Sequence, residues 1–173
     1  MQNNPAKSNI VLVGFMGAGK TTIGKALAEE LEYPFIDSDA EIEKQEGISI
    51  NEVFRQEGES YFRGLENNFL NDFHHSSCVL STGGGMPVNG NMELLKQFGT
   101  VFYINTPFKL ILERLRLNQE TRPLCKSESG DVENDLNDLF LEREKIYKLA
   151  DFEIDGSLDV SEIKNQIKKR LAN

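Results

Sequence analysis

The chain has 173 residues, is 39% hydrophobic and 27% charged, and carries a formal net charge of −9. That length suits one α/β domain with a sizeable core, and the acidity argues against nucleic acid or an anionic membrane as a partner. No apolar run reaches transmembrane length, Met1 to Ser8 is polar with no signal-peptide pattern, and Cys78 and Cys125 stand far apart, so a cytoplasmic protein without disulfides is expected.

Ile10 to Val13 is an unbroken apolar run, the pattern of a strand buried on both faces of a parallel sheet. Gly14-Phe15-Met16-Gly17-Ala18-Gly19-Lys20-Thr21 follows and satisfies G-x-x-x-x-G-K-[ST] in full, with a helical pattern to Leu31 behind it. Such a loop turns successive N–H groups toward phosphates, and the helix N-terminus adds its dipole. The alternative is a plain Gly-rich turn, but three glycines with Lys and Thr in register between strand and helix favour a purine nucleotide–Mg²⁺ site. Candidate nucleotide ligands are Gly17, Ala18, Gly19, Lys20, Thr21 and Thr22, with the Thr21 hydroxyl placed for Mg²⁺.

Tyr33 to Ile36 reads as a second strand ending at Asp37-Ser38-Asp39. Ligands collect at the carboxyl ends of parallel strands, so these carboxylates face the phosphate loop, although helix capping would use one of them as well. Ile48 to Phe73 is helical with breaks at Gly47 and Gly58. Arg63 and Glu66 share a face of it, either as a surface ion pair or as an anion grip with Glu66 orienting Arg63. Cys78 to Ser81 is a third strand running into Thr82-Gly83-Gly84-Gly85, where three glycines imply close approach of a ligand or a neighbouring element. His74 and His75 read as surface residues. Asn91 to Gln97 is a helix, Thr100 to Ile104 a fourth strand, and Pro107 opens a helix to about Leu117. The polar stretch from Asn118 to Asn134, holding Arg122-Pro123-Leu124, has the length of a lid. Asp135 to Ala150 is helical and holds Arg143; Asp151 to Asp155 is a fifth strand and Val160 to Leu171 a closing helix. The alternation predicts a doubly wound parallel sheet.

In this order and spacing, the phosphate loop, D-x-D at Asp37 and Asp39, F-R-x-x-E at Phe62 to Glu66, Gly83 to Gly85, R-P-L at Arg122 and the late Arg143 resemble shikimate kinase from Asn9 to about Leu171. The resemblance implies a single-domain P-loop kinase over 1–173, with a five-stranded sheet in the order 2-3-1-4-5 and a lid at about 118–134. It implies ATP-dependent phosphorylation of the 3-hydroxyl of shikimate, on the route to chorismate, by a monomer. Asp39 would hold the acceptor hydroxyl and act as base, and Asp37 would act on Mg²⁺. Arg63 and Arg143 would grip the substrate carboxylate, and Gly83, Gly84 and Gly85 would line the pocket. Arg122 would close onto the phosphates, and Arg114 or Arg116 would pack on adenine. Asp155 to Leu158 lacks the basic residue that some members use near the base. Two arginines and D-x-D would also fit a gluconate-type kinase, and a catalytically silent nucleotide-binding relative is the reading from another class.

Overall fold

The computed structural model describes residues 9–117 and 131–172. Most of the expected lid, with Arg122, lies outside them, as does Cys125.

The strands are β1 (Asn9–Val13), β2 (Phe35–Asp37), β3 (Val79–Ser81), β4 (Gly99–Asn105) and β5 (Phe152–Asp155). They form one sheet in the order β2-β3-β1-β4-β5, and every neighbouring pair is parallel. In the centre, Val11 stands opposite Leu80 on one side and Val101 on the other. All five residues of β1 are buried. Ile10 and Leu12 enter one apolar layer with Val79, Phe102 and Ile154, while Val11 and Val13 enter the opposite layer with Leu80, Val101 and Tyr103. The unbroken apolar run thus follows from period-two alternation between two dry faces.

Helices α1 (Lys20–Leu31) and α8 (Val160–Leu171) cover the first layer through Ile23, Leu27, Ile163 and Ile167. The other face is covered by α2 (Ser38–Glu46), α3 (Ile50–Gln56), α4 (Gly58–Asn71), α5 (Met92–Phe98), α6 (Phe108–Leu117) and α7 (Val132–Tyr147). Because all strands run the same way, the turns leaving β1, β2 and β3 gather at one edge of the sheet.

The expected break at Gly58 is present, and two features differ from expectation. The helical stretch at 48–73 divides at Gly58, as expected: the Ser49 hydroxyl caps α3 by accepting from the Glu52 N–H at 3.2 Å, and Gly58 takes φ +82° where α4 begins. Helix α7 starts at Val132, inside the expected lid, because Asp131 caps it by accepting from the Asn134 N–H at 3.2 Å. An unexpected single 3₁₀ turn, Met86–Asn89, follows the three glycines with Pro87 in its first turn.

Candidate active site

The turn after β1 needs its glycines for two reasons. Gly14, Gly17 and Gly19 have φ of +146°, +79° and +100°, and a Cβ on Gly14 would stand 2.9 Å from the Ile104 carbonyl oxygen. Lys20 opens α1 with its stem buried, and its ammonium donates to the Gly14 and Phe15 carbonyls at 2.8 and 3.0 Å. The Arg114 guanidinium donates to the Gly17 and Ala18 carbonyls at 3.1 and 3.0 Å, and Thr106 Oγ1 donates to the Ala18 carbonyl at 3.0 Å. A cavity of about 340 Å³ lies along this loop, with Arg114 and the Gly156–Leu158 turn in its wall. Arg116 is not brought there: it is exposed and pairs with Glu133 at 2.8 Å.

Asp37 ends β2 and divides its carboxylate. Oδ1 accepts from the Asp39 and Ala40 N–H groups at 3.1 and 3.4 Å, capping α2. Oδ2 accepts from Thr21 Oγ1 at 2.8 Å. Capping and a place beside the phosphate loop are therefore one arrangement. The cap also fixes the backbone of Asp39 in the first turn of α2.

The glycines after β3 owe nothing to positive φ; none of the three has it. Their need is space. A Cβ on Gly83 would fall 2.3 Å from Asp39 Oδ1, and one on Gly85 2.3 Å from an Arg63 guanidinium nitrogen. Gly84 has ordinary room, its nearest neighbour being the Met16 nitrogen at 3.4 Å. The segment is held from both sides: the Gly83 N–H donates to the buried Ser38 hydroxyl at 2.9 Å, and the Tyr147 hydroxyl donates to the Gly84 carbonyl at 2.5 Å. Tyr147 is fully buried, and the Arg143 guanidinium, one turn earlier on α7, stands near its hydroxyl. Burial pushes the phenol up, and Arg143 only partly offsets this.

Arg63 is held as a fork. Nη1 donates to Glu66 Oε2 at 2.7 Å, and Nη2 donates to Glu59 Oε1 at 2.7 Å. Burial works against its charge, but Glu66 and Glu59 outweigh burial and carry its pKa upward. Glu66 is fully buried; desolvation pushes its carboxyl up, opposed by Arg63. Arg143 is buried with its guanidinium 5.9 Å from the centre of the Phe15 ring. Asp39, Arg63, Arg143 and the glycines line a second cavity of about 620 Å³. Lys20 and Thr21 belong to the walls of both cavities, so the two meet at the end of the phosphate loop.

Sequence reasoning brought Asp37, Asp39, Arg63, Glu66, Arg143 and the glycines to one place and missed three supports. Glu59 stood four residues before Arg63 and Tyr147 four after Arg143, both at helical spacing. Ser38 had no such signal, since its partner is on β3's turn.

A family model described as shikimate kinase matches residues 16–172. A shikimate kinase from Persephonella marina is 47% identical over 148 residues, covering 84% of this chain and 87% of that protein. The structure of a shikimate kinase from Acinetobacter baumannii in complex with shikimate matches with a TM-score of 0.88 and 40% identity, covering 95% of this chain and 93% of that one. A gluconokinase from Sinorhizobium meliloti, at TM-score 0.57 and 19% identity over 92% of this chain and 88% of that one, shares the fold alone.

Proposed function

The chain belongs to the shikimate kinase family, and we propose that it transfers the γ-phosphoryl group of ATP to the 3-hydroxyl of shikimate. The observation that carries this reading is the meeting of the two cavities at Lys20 and Thr21. One cavity runs along a phosphate loop; the other holds the Asp39 carboxylate with Arg63 and Arg143, the complement of an acceptor with both a hydroxyl and a carboxylate.

Phosphoryl transfer needs positioning and charge stabilisation more than covalent work. Asp39, fixed by the Asp37 cap, accepts the proton of the attacking hydroxyl. Arg63, held by Glu59 and Glu66, and Arg143, set over the Phe15 ring, take the shikimate carboxylate through paired charge-assisted bonds. The loop N–H groups and Lys20 hold the phosphates of ATP, and Gly83, Gly84 and Gly85 keep the acceptor wall thin. Thr21 Oγ1 and Asp37 Oδ2, 2.8 Å apart beside the loop, are the oxygens that would hold Mg²⁺, an ion suited to one or two protein oxygens beside substrate phosphates. When bound, that ion neutralises charge on the transferring group. Arg114, already against the loop, fits the adenine side better than Arg116. The reading extends to a cytoplasmic monomer in which 1–173 act as one domain without nucleic acid or membrane. Among the described residues no helix is long and apolar enough to cross a membrane.

Coupled measurement of ADP release tests it. Release requires ATP, Mg²⁺ and shikimate together. Equal release with gluconate, or with no acceptor, refutes it.

A further inference from the structure

Asn51 lies in the first turn of α3, beyond the Ser49 cap. The start of this helix is tied to α2, since the Ile50 N–H donates to Glu43 Oε1 at 2.8 Å. Asn51, with Ile50 and Phe54, lines the acceptor cavity. Its side-chain oxygen is buried and, among the described residues, receives no hydrogen bond. A buried acceptor left without a donor is unfavourable, and native proteins seldom keep one without a use. On the neighbouring walls Arg63 pairs with Glu59 and Glu66, Ser38 with Gly83 and Tyr147 with Gly84, while Glu66 Oε1 is a second buried oxygen that receives no hydrogen bond among the described residues.

The missing donor is available on the acceptor, and this step rests on shikimate being that acceptor. Shikimate is a cyclohexene carboxylate with three ring hydroxyls. The two arginines match its carboxylate and Asp39 matches the reacting hydroxyl. The other hydroxyls enter the same cavity as donors, and Asn51 forms part of its wall. We propose that Asn51 is a specificity-determining residue whose side-chain oxygen accepts a hydrogen bond from a ring hydroxyl that is not phosphorylated.

The test combines Asn51→Ala and the near-isosteric Asn51→Leu with shikimate analogues lacking either non-reacting hydroxyl. A neutral hydrogen bond predicts a rise in KM for shikimate of roughly threefold to tenfold in both variants, with kcat and the KM for ATP unchanged. For one analogue the wild type should lose the same factor and Asn51→Ala should add no further loss, the signature of a direct pair. Unchanged KM in both variants overturns the assignment, as do losses that add independently with both analogues. A variant that does not fold is replaced by the other, and melting temperature separates the two cases. If wild type fails to phosphorylate shikimate, the proposed function falls; if wild type is active and both variants match it, only the role of Asn51 falls.

Discussion

Alanine at each of the three glycines after β3 should give three different enzymes. The backbone tolerates all three, since none has positive φ. The difference is where the new methyl lands. At Gly83 it meets Asp39 Oδ1 at 2.3 Å, and a Cβ needs at least about 3 Å, so the carboxylate must retreat by at least about 0.7 Å. Asp39 cannot follow with its backbone, which the Asp37 cap holds. A displacement of about that size can reduce a rate by roughly a hundredfold, and we expect a loss of that order in kcat for Gly83→Ala. At Gly85 the methyl meets the Arg63 guanidinium at 2.3 Å, with its central carbon at 2.7 Å, and the fork must leave its place. Losing a charged hydrogen bond costs roughly 1.5–3 kcal/mol, so the KM for shikimate should rise about tenfold or more while ATP binding is kept. At Gly84 the nearest atom is 3.4 Å away, and only a small change is expected. Steady-state kinetics by coupled ADP release, with melting temperatures as the folding control, measures all three. Wild-type kcat in Gly83→Ala, or equal damage at Gly84 and Gly83, would refute the reasoning.

Lys20→Ala should lower kcat by roughly a hundredfold or more and change the KM for shikimate little, because the lost charge serves the phosphates; single-turnover rates check this. Arg143→Lys keeps the charge but loses the fork, and the KM for shikimate should rise about tenfold with the Kd for ATP unchanged by calorimetry. Burial raises the Glu66 carboxyl, so the folded state holds that proton more tightly than the unfolded chain; this stability is present at low pH and is lost as pH rises through the native pKa. Relative to Glu66→Gln, the wild type should therefore lose melting temperature on going from acid to neutral pH, while Glu66→Gln raises the KM for shikimate by loosening Arg63. Burial pushes the Cys78 thiol up to about 11, so in the native protein it should resist alkylation at pH 8, read by peptide mass mapping.

The local parts of the site were legible in the sequence. The phosphate loop declares itself because its glycines, Lys20 and Thr21 all act within one turn. Asp37 and Asp39 follow from the rule that parallel strands deliver ligands at their carboxyl ends. The helix break at Gly58 was readable, since a residue at φ +82° is naturally glycine. What could not be read was cross-chain fit. Three successive glycines announced close approach, but only the fold shows that Gly83 makes room for Asp39 and Gly85 for Arg63. The choice between Arg114 and Arg116 has the same origin. They are two apart on one helix and so face different ways, and only the packing of α6 on the loop decides which touches it. The start of α7 was missed because an Asp cap inside a polar stretch resembles any other Asp.

The strand order also governs how the protein can be made. β1 emerges early in synthesis, yet both of its neighbours, β3 and β4, lie far downstream. No local hairpin can shelter Ile10 to Val13, so this apolar strand waits for Val79 to Ser81 to pair one edge and for Gly99 to Asn105 to pair the other. Until then the phosphate loop lacks one wall, since the Ile104 carbonyl that Gly14 packs against does not yet exist. Nucleotide binding should therefore appear late in biogenesis, and chains stalled before β4 should be clients of holding chaperones rather than partially active enzymes.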